Sequence, residues 1–335
     1  MSTSKQFIIP IFIPHEGCKN DCVFCNQRSI SGSNHVPSDE DIIKIVENFL
    51  CYVDDRYCEI AFYGGSFTGL PYEIQENYLK IVQKYIKPGD KDIGVDSIRV
   101  STRPDYIDQR ILSLLKNYNV KTIELGAQSM DDFVLNSSNR GHTSKDTEMA
   151  SELIKKNGFQ LGLQTMTGLP GSSLDKELKT AERIVELAPD MVRIYPTLVI
   201  KGTLLEHLYK ENKYRPPELE EAVNTCARLL DIYENNNIEV IRVGLQASDN
   251  ISAGGDIVAG PYHPAFGQMV NSHRFLNKFR AILSKMDLKG IDTYELSVSK
   301  SRLSDAIGQK RCNIRALEAE FGIKIIISEA TNLPK

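Results

Sequence analysis

No apolar run in the 335 residues approaches the roughly 18 needed to cross a bilayer, so the sequence predicts no membrane segment. The N-terminal stretch MSTSKQFIIPIFIPHEG is partly apolar, but Pro10 interrupts it and no small-residue cleavage site follows. It does not read as a signal peptide, and a cytoplasmic chain is expected. Low-complexity tracts are lacking, as is any internal repeat beyond a general strand-helix alternation. Charge of one sign is also lacking: 40 Lys and Arg stand against 44 Asp and Glu, a net −4. That balance excludes a uniformly basic coat but leaves room for a local basic surface. With 41% hydrophobic and 25% charged residues, the composition excludes disorder, collagen and coiled coil as the main architecture. Seven cysteines, an odd count without an export signal, argue for a metal or reactive role over a disulfide framework.

Short β-rich runs alternate with longer amphipathic ones. Strands are predicted at Phe7 to Ile13, Glu59 to Tyr63, Ser97 to Ser101, Thr122 to Leu125, Phe159 to Met166 and Met191 to Leu198. Helices are predicted at Asp39 to Val53 with Ser38 as N-cap, Pro71 to Ile86, Gln109 to Tyr118, Lys145 to Lys156, Leu174 to Leu187 and Leu219 to Asn235. Six strand-helix units give an α/β chain with a partial (β/α)6 TIM-type barrel, whose functional groups gather at strand C-terminal ends. A strand at Glu239 to Val243 would lie at the barrel margin, and the loop Gln246 to His263 would cover its open face. A helix from Pro264 to Met286 then leads to a strand (Thr293 to Ser299), two helices (Ser301 to Ile307, Asn313 to Phe321) and a strand (Ile323 to Ser328). The expected division is therefore barrel 1–245, covering loop and connecting helix 246–286, and a small α+β domain 287–335.

After the first strand comes Cys18-Lys-Asn-Asp-Cys22-Val-Phe-Cys25, three thiols within eight residues on a loop. An all-protein iron-sulfur site normally takes four cysteines, so three would leave one iron open to a small molecule. Two other readings stand beside it: a Cys3His zinc site completed by His15, and unrelated thiols. The array resembles the cluster loop of radical S-adenosylmethionine (SAM) enzymes. That resemblance implies a 4Fe-4S cluster on Cys18, Cys22 and Cys25, SAM chelated at the open iron, an external one-electron donor, and a 5'-deoxyadenosyl radical as product of SAM cleavage. Phe24 matches the aromatic residue usual beside the last cysteine.

The second strand ends Tyr63-Gly64-Gly65-Ser66-Phe67-Thr68, similar to the Gly-Gly motif that holds the SAM amino group. Ser66 stands where many relatives carry glutamate. Gln128, at the end of the fourth strand, and Arg140, in Asn139-Arg-Gly-His-Thr143, resemble the SAM contacts of the coproporphyrinogen-oxidase-like branch. The fifth strand ends Gln164-Thr-Met-Thr-Gly168-Leu-Pro-Gly171, similar to the family's turn near adenine, with Gln164 where an acid is common.

The sixth strand, Arg193-Ile-Tyr195-Pro-Thr-Leu-Val-Ile-Lys201-Gly-Thr203, makes the barrel from about Ile8 to Leu208 resemble the catalytic subunit of Elongator, a radical SAM enzyme of transfer-RNA wobble-uridine modification. By that resemblance Tyr195, Lys201 and Arg103 would line the substrate side and act in catalysis. Elongator enzymes have a longer gap between their first two cluster cysteines and append an acetyltransferase domain. Nothing after Gly244 has the Gly-rich pantetheine-binding pattern. A separate acetyl-CoA partner, a different product or a different RNA all stay open, as do a small-molecule substrate and a noncatalytic, metal-structured RNA-binding protein.

The tail resembles the minimal core of a KH domain, in which two helices meet at a G-x-x-G loop that clamps single-stranded nucleic acid. Here the loop is Gly308-Gln309-Lys310-Arg311, without the second glycine, and Arg315 follows in the next helix. From Ser272 to Arg315 ten Lys and Arg face four Asp and Glu, a local +6 that leaves the remainder at −10. A basic tail on an acidic barrel suits phosphate steering, so Gly308, Lys310, Arg311 and Arg315 are the expected contacts to a tRNA-like substrate.

Overall fold

The computed structural model describes residues 7–13, 17–26, 36–53, 57–87, 94–245, 251 and 254–330. Its larger part is a curled sheet of seven parallel strands: β1 (Phe7–Ile13), β2 (Cys58–Gly64), β3 (Ser97–Thr102), β4 (Val120–Gln128), β5 (Gln160–Thr167), β6 (Met191–Pro196) and, after the two-residue β7 (Val199–Ile200), β8 (Glu239–Val243). The order is β1-β2-β3-β4-β5-β6-β8, a half-barrel whose two ends are not hydrogen-bonded to one another. The six expected units are present, and the strand expected at the margin pairs with β6 as the seventh.

Helices between the strands cover the outer face: α1 (Asp39–Leu50), α2 (Tyr72–Gln83), α3 (Gln109–Asn117), α4 (Asp132–Ser137), α5 (Ser144–Lys156), α6 (Leu174–Glu186), α7 (Leu204–Lys210) and α8 (Leu219–Asn235). Their starts follow local chemistry. Ser38 and Asp41 form a reciprocal capping box on α1, and Thr143 with Asp146 does the same for α5. Pro71 is the N-cap of α2 and not its first turn, and that helix stops at Gln83 because Ile86 leaves to bridge Val95. The sixth strand ends at Pro196, two residues short of the expected Leu198. Val199–Ile200 turns instead to pair antiparallel with β9 (Ile257–Ala259), a strand inside the expected covering loop. Residues 246–250 and 252–253 of that loop lie outside the described residues.

Alternation along the strands sorts the residues onto two faces. Ile9, Ile11, Ile13, Ile60, Phe62, Ile98, Val100, Ile123, Leu125, Leu161, Leu163, Val192 and Ile194 join one apolar core under the helices. Each such side chain contributes about 1.5–3 kcal/mol when fully buried. The opposite, concave face carries Glu59, Tyr63, Arg99, Glu124, Gln128, Gln164, Arg193 and Tyr195, so the barrel interior is polar.

A long helix, α9 (Phe266–Leu283), belongs to both cores: Phe266 and Val270 pack on the barrel, Phe279 and Leu283 on the small domain. The small domain is β10 (Thr293–Val298), α10 (Leu303–Ile307), α11 (Cys312–Phe321) and β11 (Lys324–Glu329), with its two strands parallel. Buried Asn313 donates to the carbonyls of Ser272 on α9 (2.9 Å) and Ala306 on α10 (3.0 Å), joining the three helices. Asn313→Ala strands both carbonyls, and we expect a loss of about 1–3 kcal/mol in urea denaturation followed by circular dichroism. A change under half a kcal/mol (about 0.5) would show that these bonds add little.

Candidate functional site

The cysteine loop, residues 17–26, lies at the C-terminal edge of the sheet and is held from several sides. The turn after α4 grips it most closely. Val23 N donates to Ser138 O (3.1 Å), Asn139 Nδ2 to Asp21 O (2.7 Å) and Asn20 Nδ2 to Arg140 O (3.4 Å). Gly141, at φ +76°, is packed so tightly on Asn20 that a Cβ there would fall 1.6 Å from its Nδ2. From the β2 side Ser66 Oγ stands 3.3 Å from Cys18 Sγ, and from the β3 side Tyr106 OH accepts from Lys19 N (3.2 Å). From the β6 side Leu205 N donates to Val23 O (2.7 Å), while Asn26 Nδ2 donates to Lys201 O (2.9 Å). Four strand-to-helix connections thus fix a loop with no regular structure of its own.

None of the seven cysteines is in a disulfide. Cys22 is buried and receives Arg140 Nη1 at 3.3 Å, and Cys25 N closes a turn onto Cys22 O (3.0 Å). Among the described residues no three His, Cys, Asp or Glu side chains converge as a group ready to hold a metal ion. His15, the fourth ligand of the zinc reading, lies outside the described residues. Phe24 is half-buried in a small apolar cluster with Val23, Val199, Leu205 and Tyr214.

Around the loop stand the other residues singled out from sequence. Gly64 has φ +102°, and Gly65 N donates to Ile13 O (2.8 Å), tying the Gly-Gly turn to the end of β1. Gln128 ends β4 in the left-handed region, φ +65°, a conformation that costs a non-glycine residue about 1–2 kcal/mol. Its amide exchanges hydrogen bonds with Gln164: Gln164 Nε2 to Gln128 Oε1 at 2.8 Å, and the reverse at 3.3 Å. Arg140 places Nη2 on Gly126 O (2.8 Å) and leaves Nε buried without a partner. The ring of His142 is likewise buried, beside the Ala127 backbone and without a well-formed hydrogen bond. Burial first, then the charges of Arg140 and Arg103, holds His142 neutral with its pKa lowered to about 3.

The three expected catalytic residues separate. Tyr195 is half-buried on the concave face. Lys201 has an exposed side chain, and its backbone ties β9 to the cysteine loop through Asp256 O and Asn26. Arg103 is only 1% exposed, is bound bidentately by Asp105 (2.9 Å to each oxygen) and donates Nη1 to Arg140 O (2.6 Å). Its geometry supports the Arg140 turn; its fork is already occupied.

Sequence reasoning missed a charge ladder inside the barrel. Arg99, 1% exposed, meets Glu59 (2.6 Å) and Glu124 (2.6 Å), and Glu124 in turn meets Arg193 (2.7 Å). Arg193 also donates to Tyr63 OH (3.0 Å). Burial alone would raise the Glu124 pKa, but Arg193 and Arg99 together bring it below the ordinary value. Burial and the neighbouring Glu124 push the Tyr63 phenol well upward. The available signal was a charged residue at inward positions of otherwise apolar strands.

In the small domain, Lys310 (φ +50°) and Arg311 (φ +61°) both take the left-handed region, the second at the position where the missing glycine would have eased it. Gly308 sits against α9 and α11: a Cβ would lie 2.5 Å from Cys312 Sγ and 2.8 Å from Ser272 Oγ. Lys310, Arg311 and Arg315 are exposed.

The Radical SAM superfamily model matches residues 12–184, just over half the chain. The chain belongs to the radical SAM superfamily. The Radical_SAM C-terminal domain model matches residues 189–275. Among curated relatives, the tRNA uridine(34) acetyltransferase of Methanocaldococcus jannaschii is 37% identical over 181 residues, 49% of this chain and 34% of that protein. Elongator complex protein 3 of Mus musculus is 30% identical over 188 residues, 51% of this chain and 34% of that protein. The matches therefore span about a third of those relatives' lengths, within the radical SAM region. Among solved structures, archaeal Methanocaldococcus infernus Elp3 with an N-terminal deletion superposes with a TM-score of 0.65 at 21% identity, over 85% of this chain and 65% of that one. It shares the fold. As a radical SAM protein the chain is an enzyme, with a parallel half-barrel and a small C-terminal domain. No helix among the described residues is long and apolar enough to cross a membrane.

Two outcomes test this electrostatic arrangement. Glu124→Ala leaves two buried guanidinium groups short of a partner and should destabilise the barrel by about 3–5 kcal/mol in urea melts; a shift under about 1 kcal/mol contradicts the ladder's role. His142, with its folded pKa depressed, binds its proton more readily when unfolded, so its contribution is complete above about pH 6.5 and declines as pH falls toward 3. His142→Gln should flatten the fall in urea midpoint between pH 6.5 and 4; an unchanged slope contradicts the assignment.

Proposed function

We propose that this radical SAM enzyme holds a 4Fe-4S cluster on Cys18, Cys22 and Cys25, binds SAM beside it, and modifies a nucleoside in a tRNA-like RNA. The observation that carries the first part is the clamped cysteine loop at the strand ends. Its donor set fits the group: three thiols outside any disulfide on one short loop match a cluster that leaves one iron without a protein ligand. The site also fits an amino acid's polar end, because Arg140 Nε is a buried donor without an acceptor. When bound, cluster and SAM supply a one-electron cleavage of SAM to methionine and a 5'-deoxyadenosyl radical that abstracts hydrogen. The electron comes from an external donor.

The chain's own residues position and exclude. Arg140 and Ser66 touch the thiols of Cys22 and Cys18 with charge-assisted and neutral hydrogen bonds, which favours keeping the loop in one conformation. Gly64 and Gly65 permit close backbone approach, and the Gln128–Gln164 amide pair offers neutral hydrogen-bonding groups to ribose hydroxyls. Phe24 covers the loop's apolar side. Tyr195 faces the chamber where substrate would lie, and Lys201 stands at its rim. Arg103 acts through the Arg140 turn.

The RNA reading is supported by relatives whose names specify a tRNA uridine and Elongator, and by the exposed basic loop of the small domain. Lys310, Arg311 and Arg315 have no ion-pair partner among the described residues, so their charge is available to phosphates, and Gly308 lets the loop seat on its helices. Acetyl transfer is not part of the reading, because the similarity covers the radical SAM region.

Anaerobically reconstituted protein under strong reductant should yield 5'-deoxyadenosine, the Cys18, Cys22 and Cys25 triple alanine variant should yield none, and bulk small RNA should stimulate the reaction. Lys310→Glu with Arg311→Glu should weaken RNA binding and lower its salt slope by about two. Cleavage indifferent to RNA would favour a small-molecule substrate. Absence of cleavage despite an intact cluster would favour a noncatalytic RNA-binding protein.

A further inference from the structure

The charge ladder ends in an arginine that is not fully used. Arg193 lies on β6 in register with Gln164 on β5, two residues nearer the strand C-termini than the Glu124–Gly162–Met191 level. Its Nε and Nη2 are fixed by both oxygens of Glu124 and by Tyr63 OH, while Nη1 has no partner among the described residues. The side chain is 13% exposed, and its guanidinium carbon lies 5.5 Å from the centre of the Tyr63 ring. A guanidinium so held presents a rigid, pre-oriented donor to the chamber.

A second arginine stands beside it. Arg242 on β8 pairs in register with Arg193, on strands that lie about 4.8 Å apart. Val240 pairs with outward Val192 and Val243 with outward Ile194, and a register shift between Val192 and Arg193 takes up the extra residue of β8, so Arg242, opposite Arg193, faces inward with it. Arg242 gives Nε to Gly244 O (3.2 Å) and has no carboxylate partner among the described residues. Three inward arginines (Arg99, Arg193, Arg242) thus face two inward glutamates (Glu59, Glu124), and the unbalanced positive charge lies at the β6–β8 end, across the sheet from β1, the strand that leads into the cysteine loop.

We infer that Arg193 and Arg242 form a carboxylate-binding subsite on the barrel interior, framed by Tyr63 and Tyr195, that holds an acidic group of the substrate. A planar carboxylate matches guanidinium donors supplied from two neighbouring strands in register, and the polar, half-closed setting strengthens such a contact relative to water. The acid is carried either by a free small molecule or by a nucleoside. The inference rests on the proposed reading only in taking the barrel interior as the substrate chamber.

Isothermal titration of the full chain, purified anaerobically, with acetate against acetamide and with orotidine against uridine tests it without SAM or turnover. Each acid should bind at least about tenfold more tightly than its neutral counterpart. Arg242→Gln, which leaves the Glu124 ladder intact, should lose about that factor. Arg193→Lys, which keeps the charge but not the fork, should weaken the acids while circular dichroism confirms the fold. Orotidine binding far more tightly than acetate identifies a nucleoside-borne acid, and equal binding a free one; both support the subsite. Equal binding of acid and neutral partner, or undiminished acid binding by folded Arg242→Gln, overturns it. One-for-one displacement of acetate by SAM also overturns it, because the arginines would then serve the SAM carboxylate. If SAM fails to bind at all, the proposed function is in doubt while the comparison of acid with neutral ligand still decides this one.

Discussion

The contact between the cysteine loop and the Ser138–Thr143 turn governs the rest of the site. The loop lacks regular structure, so its backbone groups need partners from elsewhere, and the turn supplies them through Ser138, Asn139 and the Arg140 carbonyl. Arg103 and Asp105 support that turn from below, and Gly141 allows it to sit directly on Asn20. Through Arg140, which touches both Cys22 and Gly126, these contacts join the thiol loop to the end of β4. Three cysteines close in sequence are therefore only half of the centre; the other half is more than 110 residues away.

Inside the barrel the constraint is electrostatic. Interiors of closed barrels are filled by layers of apolar side chains, which leave no chamber. Here the sheet stays open, and its concave face is kept polar by a ladder in which each inward glutamate is satisfied by arginine. Such buried pairs add little net stability but make any unpaired member costly. The ladder thereby discourages collapse and fixes where charge is presented. Its upper end, at Arg193, presents a positive charge to the chamber.

Much of the fold was legible because the outward strand faces are mostly apolar and one helix begins at a recognisable cap, Ser38; the Thr143 cap of α5 was not read, and that helix starts one residue before the expected Lys145. The short elements were not: α4 and α7 have six and seven residues, and β7 has two, lengths at which tertiary contacts decide conformation. The cysteine array stood out from local spacing, and Gly64-Gly65 and Arg140 were singled out by resemblance, whereas the grip of the Arg140 turn on the loop depends on hydrogen bonds between distant segments. Arg103 was placed on the substrate side by its resemblance to the Elongator motif; local spacing could not show that Asp105, two residues on, holds its fork. The ladder went unseen because a charged residue in a strand usually reads as a solvent-facing position.

The central claim is that the clamped loop holds a three-cysteine cluster open to SAM. Electron paramagnetic resonance of the reconstituted, reduced full chain, recorded before and after addition of SAM, tests it most directly. The account predicts a signal of a reduced 4Fe-4S cluster whose shape changes on adding SAM, and its loss when Cys18, Cys22 and Cys25 are replaced by alanine. A cluster signal indifferent to SAM, or one that survives removal of the three cysteines, would contradict it.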